Sequence, residues 1–321
     1  MFLCRFAGCV LVVLFAALHL PAQESLHAHA EVLNASAPFT FPQRFVVGPD
    51  RNLYFVDPVL NSIFVHDFKT GNVKSWCGPK SLGTPVTDIA VGSNGHIWVL
   101  NQRDSKVRRL SPRCVVDSEF KVSLIARAIA TNAFGELIVL NTTGRWLFDL
   151  FSVNGKLLRS FGDRIDYGEE VKTAELNDGN IASDSAGGFF FSFNYPPLVR
   201  HYSRSGKLLS EFKPESDVPI APANVIVSGN GAAFSVTSKY QILVLDIAAD
   251  KQDRLYLLIS GKNNAPALQQ GTAKLRVLTK TGGTIKNVTL DHSFHRVAAG
   301  NKSLYLLRNR DPFRVDEYVV F

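Results

Sequence analysis

The sequence predicts an all-β protein, a β-propeller of six four-stranded blades. Three recurring features predict this fold: a short apolar core segment, a shorter alanine-bearing segment before it, and a turn-rich hairpin after it. Together they describe four antiparallel strands in about 40 to 50 residues, which is the length of one propeller blade. No segment shows the 3.6-residue apolar period of an amphipathic helix, so alternating strands and helices are not expected.

The recurring core segments are mostly continuous apolar runs, as expected for strands that are buried on both faces. A sheet with one solvent-facing side would alternate apolar and polar residues instead. Six copies occur, at 52–57, 96–101, 136–141, 189–194, 254–259 and 303–308.

A second apolar segment precedes each core and carries a small residue at one position. Alanine is expected where several strands crowd together, as the innermost strands of a ring of sheets do around its axis. The pairs are Phe45–Val46 in the first copy and then Ile89–Ala90, Ile129–Ala130, Ile181–Ala182, Ile247–Ala248 and Val297–Ala298.

The hairpins after the core segments supply the two outer strands of each unit. Asn154–Gly155, Ser205–Gly206 and Gly282–Gly283 are dipeptides that provide the positive φ angles of tight turns. One spacing between units is too long, and residues 224–236 inside it resemble an inner-plus-core pair. We interpret this segment as an inserted hairpin within a six-bladed ring; a seven-bladed ring is the alternative.

The last unit, residues 295–321, supplies three strands and not four. We expect the missing outer strand to come from the N-terminal segment, around residues 28–35. A ring that is closed in this way has no exposed strand edge that could pair with other molecules.

The N-terminus has the pattern of a secretory signal peptide: one positive charge, about fifteen mostly apolar residues and then small residues. We place cleavage after Ala22, with Ala30 and an uncleaved anchor as alternatives. The predicted organisation is a signal peptide at 1–22, an N-terminal segment at 23–41 and a single propeller domain at 42–321. The protein is therefore expected to be exported, periplasmic or extracellular, with no transmembrane segment in the mature chain.

Two cysteines remain after the signal peptide, Cys77 and Cys114, in the outer parts of consecutive units. An oxidising compartment allows a disulfide to persist, so a bridge between neighbouring units is one interpretation and two separate thiols the other. The net charge of +7 comes from mostly dispersed basic residues. Their dispersal and the export signal argue against a nucleic-acid partner, and we expect a monomer.

The first unit resembles the NHL repeat. Leu53-Tyr54-Phe55-Val56-Asp57 is followed by Asn61-Ser62-Ile63-Phe64-Val65-His66-Asp67 and then by Thr70-Gly71, which is the order of that pattern. The resemblance covers most of residues 42–321 and is weak in each unit. It implies the six-bladed propeller group that also includes lactonase-like and TolB-like domains. It implies a fold and not a chemistry, because propellers host many unrelated functions.

Polar residues end the core segments and are the candidate ligand-binding residues. If the ring closes, they lie near one mouth of the central channel, where they could bind a sugar, a peptide or a metal ion. The alternative is that each Asp or Asn caps its own turn. The candidates are Asp57, Asn101, Asn141, Asn194 and Arg308.

The function that these features favour is a non-catalytic binding or protein-interaction scaffold for a protein, a small polar ligand or a glycan. The alternative is a metal-dependent lactonase or hydrolase, as some similar propellers are. Asp57 is the one acidic residue among the core-end positions, whereas hard divalent ions prefer several carboxylates. No cofactor or catalytic residue is therefore predicted, and calcium is only a minor alternative. His292 and His295 are spaced unsuitably for a zinc site on a strand.

Overall fold

The computed structural model describes residues 23–26, 28–33, 38–215, 225–228, 233–236, 244–260, 272–308 and 313–319. The chain folds as a six-bladed β-propeller with four antiparallel strands in each blade, which confirms the predicted fold class. The predicted signal peptide lies outside the described residues. Among the residues that are described, no helix is long and apolar enough to cross a membrane.

Two short strands precede the first blade, β1 (Gln23–Leu26) and β2 (Ala30–Leu33). Blade 1 contains β3 (Arg44–Val47), β4 (Leu53–Asp57), β5 (Ser62–Asp67) and β6 (Asn72–Cys77). A short helix α1 (Pro79–Leu82) leads to blade 2, with β7 (Asp88–Val91), β8 (Ile97–Asn101), β9 (Lys106–Leu110) and β10 (Val116–Lys121). Blade 3 contains β11 (Ala126–Thr131), β12 (Leu137–Asn141), β13 (Trp146–Phe151) and β14 (Leu157–Asp163).

A second helix, α2 (Glu170–Leu176), precedes blade 4, with β15 (Gly179–Ser183), β16 (Phe189–Phe193), β17 (Val199–Tyr202) and β18 (Leu208–Phe212). The strands β19 (Val225–Ser228) and β20 (Ala233–Val236) follow as a separate hairpin. Blade 5 contains β21 (Val244–Ala249), β22 (Leu255–Ile259), β23 (Thr272–Leu278) and β24 (Thr284–Phe294). Blade 6 contains β25 (Arg296–Ala299), β26 (Ser303–Arg308) and β27 (Arg314–Val319).

The segment in the long spacing forms the two-stranded hairpin β19–β20 and not a seventh blade. The prediction of six blades is therefore confirmed, and the seven-bladed alternative is wrong.

Apolar clusters between adjacent blades form the core. Successive side chains of a strand point to opposite faces of its sheet, so each inner strand contributes to two clusters. In β21, Ile247 packs into the cluster shared with blade 4 and Ala248 into the cluster shared with blade 6. In β25, Val297 packs toward blade 5 and Ala298 toward blade 1. A large residue thus faces the preceding blade and alanine the following one, which lets the sheets approach closely near the axis.

Blade 6 takes its outer strand from the other end of the chain. β2 pairs antiparallel with β27, with Ala30 opposite Glu317 and Leu33 opposite Val315. Leu33 is buried in the apolar cluster between blades 6 and 1. The predicted closure by an N-terminal strand is therefore confirmed. In addition, β1 pairs in parallel with β24 and extends blade 5 to five strands.

A repeated contact joins the outer strand of one blade to the outer turn of the next. Gly155 has a φ of +77°, and a Cβ atom there would lie 2.6 Å from the ring of Phe120 in the preceding blade. The same contact recurs between Gly206 and Phe161 and between Gly282 and Phe212. Because the ring lies directly on the turn, only glycine leaves it enough room.

Between blades 1 and 2 a disulfide stands in place of this contact. Cys77 holds the position in blade 1 that Phe120 holds in blade 2. Each lies the same number of residues after the turn residue of its own blade, Gly71 for Cys77 and Cys114 for Phe120. Cys114 occupies the turn position that glycine occupies in later blades, and it has a φ of +59°. The two cysteines are bonded, with their Cα atoms 5.5 Å apart.

Candidate functional site

Five polar residues lie at the start of the inner strands and line one end of the central channel. They are Arg44, Asp88, Asn180, Asp246 and Arg296, from blades 1, 2, 4, 5 and 6, and we refer to them as the axial polar group. The channel cavity that they line has a volume of about 250 Å³. Because each residue comes from a different blade, the group exists only when the ring is closed.

Arg44 reaches across the channel from blade 1 to blade 4. Its Nη1 donates a hydrogen bond of 3.1 Å to Oδ1 of Asn180. Its Nε lies 3.6 Å from Oδ1 of Asp88, and its Nη1 lies 3.9 Å from Oδ1 of Asp246. Both ion-pair distances are too long for hydrogen bonds. The Arg44 side chain is 22% exposed and lines the channel cavity.

The two aspartates of the group are held by backbone N–H donors of the following blade. Oδ2 of Asp88 accepts from the Ile129 amide at 2.8 Å, and Oδ2 of Asp246 accepts from the Val297 amide at 2.9 Å. Burial raises the pKa of both carboxyl groups; Arg44 opposes the shift at Asp88, and Arg296 and Arg44 oppose it at Asp246. Each aspartate therefore also links the inner strand of its own blade to the inner strand of the next blade by a hydrogen bond.

Arg296 lies beside Arg44 and donates mainly to backbone carbonyls. Its Nη1 donates to the Leu245 oxygen at 3.0 Å and its Nε to the Gln43 oxygen at 3.3 Å. Burial and, secondarily, the like charge of Arg44 lower the pKa of Arg296 to about 10. Both guanidinium groups are consequently charged at neutral pH.

A polar flank connects the group to α2 and to the end of β16. Nδ2 of Asn180 donates to Oδ1 of Asn194 at 2.9 Å, and Nδ2 of Asn194 donates to Oδ2 of Asp178 at 3.2 Å. Arg127 forms an ion pair with Glu175 of α2. Burial raises the pKa of both Asp178 and Glu175, with Arg127 as the main opposing charge.

Among the five predicted site residues, Asn194 is the one that the structure brings into contact with the axial polar group. Asp57 is buried and accepts hydrogen bonds from the backbone amides of Thr40, Phe41, Val59 and Leu60 at 2.6–3.1 Å. Its carboxylate thus anchors the incoming N-terminal segment and its own turn.

The other predicted residues are placed in similar local roles. Nδ2 of Asn101 donates to the Leu82 and Thr84 oxygens at 3.1 and 2.6 Å, and Oδ1 of Asn141 accepts from the Thr143 amide at 3.2 Å. Arg308 ends β26 and is partly buried. Ligand binding by all five predicted residues, Asp57, Asn101, Asn141, Asn194 and Arg308, stays a prediction.

The sequence carried a signal for the axial polar group. In five of the six units, a charged or amide residue directly precedes the apolar pair that marks the inner strand. These tripeptides are Arg44-Phe45-Val46, Asp88-Ile89-Ala90, Asn180-Ile181-Ala182, Asp246-Ile247-Ala248 and Arg296-Val297-Ala298. The sequence interpretation used the apolar pair and overlooked the polar residue before it.

The axial polar group does not fit a divalent metal ion. Such an ion requires several oxygen ligands that are free to coordinate. Asp88 and Asp246 instead accept backbone hydrogen bonds and face the guanidinium groups of Arg44 and Arg296. An ion placed among them would meet two like charges.

Another acidic cluster lies near the junction of blades 5 and 6, where Asp291, His292 and Asp316 have ligand atoms within 4.8 Å of one another. Both oxygens of Asp316 already accept from Nε of Arg314 at 2.6 Å. Asp291 accepts from the Tyr318 hydroxyl and from the Ala28 amide. These contacts tie the N-terminal segment to blades 5 and 6, and they account for the cluster without a metal.

No protein-family model and no curated protein matches this chain. Solved structures match it in fold. Virginiamycin B lyase from Staphylococcus aureus is 14% identical with a TM-score of 0.55, covering 90% of this chain and 87% of that one. A streptogramin B lyase is 14% identical with a TM-score of 0.53, covering 86% and 78%. A gluconolactonase from Xanthomonas campestris is 10% identical with a TM-score of 0.52, covering 87% and 86%.

These likenesses show that the chain shares the six-bladed propeller fold of these structures. At such low identity they show the fold alone. The assignment to the NHL repeats stays a prediction.

Proposed function

We propose that this protein is an exported, non-catalytic binding protein that takes a small carboxylated ligand in the central channel, beside Arg44. The observation that carries the proposal is the incomplete coordination of the Arg44 guanidinium. It has five N–H donors, and among the described residues the structure gives it one hydrogen bond, to Asn180. A ligand carboxylate could accept two parallel hydrogen bonds from it, which is the strongest geometry available to arginine.

The surroundings of Arg44 favour a ligand that is polar as well as anionic. The amide groups of Asn180 and Asn194 lie next to each other and can exchange hydrogen bonds with hydroxyl or amino groups. A cavity of about 250 Å³ accommodates a molecule of the size of an amino acid or a sugar acid. The pKa values of Asp88 and Asp246 are raised by burial, and the negative charge of a ligand in the channel would raise them further.

A lactonase-like hydrolase is the second candidate, and one observation favours it. Asp178 and Glu175 are partly buried carboxyl groups with raised pKa values close to the channel. A raised pKa lets a carboxyl group keep its proton to a higher pH, which is the direction that a general acid requires. The likeness of fold to a gluconolactonase is compatible with this chemistry.

Calorimetric titration of the mature chain would test the binding proposal. Gluconate, glucuronate and small amino acids are compared with glucose and glycerol, which lack the carboxylate. We expect at least one carboxylate to bind and the neutral compounds not to bind. Arg44→Gln should weaken binding about tenfold or more, as expected for loss of a charge-assisted bidentate pair. Arg113→Gln, which changes an exposed arginine that lines neither channel cavity, is the matched control.

Asn180→Asp provides a second variant that keeps Arg44 in place. It puts a carboxylate opposite the guanidinium and should exclude the ligand while circular dichroism stays unchanged. Absence of carboxylate binding, or full binding by Arg44→Gln, would overturn the proposal. Turnover of gluconolactone above the spontaneous rate that is lost in Asp178→Asn would establish the hydrolase instead.

A further inference from the structure

The other end of the central channel opens into a second and larger cavity. The inner strands run from the axial polar group to this end, where Val47, Val91, Ser183, Ala249 and Ala299 terminate or nearly terminate them. The turns that lead into the core strands form its wall. We call this cavity, of about 650 Å³, the distal basin. Its size is in the range that binds drug-sized molecules.

The carboxylates around the distal basin are occupied by their own turns. Oδ1 of Asp184 accepts from the Ala186 and Gly188 amides at 2.9 and 2.6 Å, and its Oδ2 lies 2.8 Å from Nε2 of His201. Asp250 accepts from two backbone amides of its turn, and also from Nε of Arg254 and the Tyr256 hydroxyl. Both aspartates are buried. They fix the shape of the wall, and their oxygens already have hydrogen-bond partners within the protein.

The cationic side chains of the distal basin, unlike its carboxylates, are exposed to solvent. Arg51 and Lys251 line it and are exposed. Within the described part of the chain, the structure gives neither side chain a hydrogen bond or an ion pair. They come from blades 1 and 5, on either side of the short Gly300–Asn301 turn of blade 6. The apolar floor of the same three blades is formed by Val47, Ala249 and Ala299.

We propose that the distal basin binds an organic anion with an apolar body. The apolar body covers the floor of small aliphatic side chains, and the anionic group pairs with Arg51 and Lys251. The ion pair gives these cations the partner that they lack. Burial of the apolar floor beneath the ligand's apolar body adds to the affinity. A neutral apolar compound would leave the two cations uncompensated, and a small inorganic anion would leave the floor in water.

The probe for this site is 8-anilinonaphthalene-1-sulfonate, which joins an apolar ring system to one anionic group. Its fluorescence is titrated with the folded full mature chain. We expect one saturable site, and about tenfold weaker binding in the double variant Arg51→Ser/Lys251→Ser. The same ring system without the sulfonate, N-phenyl-1-naphthylamine, should bind equally to both proteins.

The control addresses the other surface that could attract the dye. Leu157, Leu158, Leu208 and Leu209 are exposed on the outer strands of blades 3 and 4, beside Lys156 and Lys207. Lys156→Ser/Lys207→Ser removes two cations there and should leave the titration unchanged. Arg44→Gln should also leave it unchanged, which separates this inference from the proposed function.

Three results would overturn the proposal. They are the absence of saturable binding, undiminished binding by Arg51→Ser/Lys251→Ser, and a loss of binding in Lys156→Ser/Lys207→Ser. Lys251→Glu serves as a further check. Reversal of the charge at this position should weaken dye binding at least as much as removal of that charge does.

Discussion

The disulfide between Cys77 and Cys114 allows a quantitative test of how adjacent blades are held together. The two bonded cysteines are separated by 37 positions in the sequence, which sets the length of the closed loop. The chain-entropy relation gives a stabilisation of about 4 kcal/mol for a loop of this length. The equivalent contact in later blades is a phenylalanine ring on a turn glycine, which buries part of one aromatic side chain. Such burial contributes about 1–2 kcal/mol.

The disulfide and the phenylalanine–glycine contact can be exchanged by mutation because they occupy equivalent positions in their blades. Cys77→Ala/Cys114→Gly removes the bridge and supplies the turn glycine. Cys77→Phe/Cys114→Gly differs from it only by the ring and recreates the contact of the other blades. We expect the free energy of unfolding to decrease in the order oxidised wild type, Phe/Gly variant, Ala/Gly variant. The differences should be about 2–3 kcal/mol for the first step and about 1–2 kcal/mol for the second.

Urea unfolding followed by far-ultraviolet circular dichroism measures this order, with the wild type examined with and without reductant. Equal midpoints for the Phe/Gly and Ala/Gly variants would refute the equivalence of the two contacts. Equal midpoints for oxidised and reduced wild type would refute the contribution of the bridge.

Three further predictions concern closure, charge and packing. Removal of residues 23–38 deletes β1 and β2 and should abolish the cooperative unfolding transition in calorimetry; an unchanged transition would contradict the closure. Arg204 lowers the pKa of Glu136 through two hydrogen bonds, so the carboxylate stabilises the fold above its unfolded pKa of about 4.3 and loses this effect as the pH falls. Glu136→Gln should therefore cost about 1–2 kcal/mol at pH 7 and almost nothing below pH ~3, in pH-dependent denaturation; a pH-independent difference would argue against this ion pair. Phe148→Ala empties a fully buried site between blades 3 and 4 and should cost about 3–5 kcal/mol, measured by urea unfolding, whereas a loss under 1 kcal/mol would show that the site is loosely packed.

The sequence predicted the strands well because their determinants are local. The core segments are apolar on both faces, and glycine at a fixed place marks the outer turns of blades 1, 3, 4 and 5. The axial polar group was not predicted, although a polar residue precedes the apolar pair in five units, because a local pattern does not show which side chains meet. Arg44 and Asn180 are 136 residues apart and meet only across the closed ring. Asp57, in contrast, makes local contacts. Its carboxylate accepts hydrogen bonds from two amides of the turn that directly follows it, which explains an aspartate at this strand end.

The pairing of β2 with β27 constrains the order of events during biosynthesis. β2 lies near the start of the described residues and β27 near their end, so the ring closes only after β27 has been synthesised and β2 has paired with it. Until then the margin of β27 offers unpaired amide and carbonyl groups to any neighbouring chain. Insertion of the leading segment of a second molecule would satisfy them equally well, which makes strand-exchanged dimers the characteristic misassembly of this architecture at high concentration.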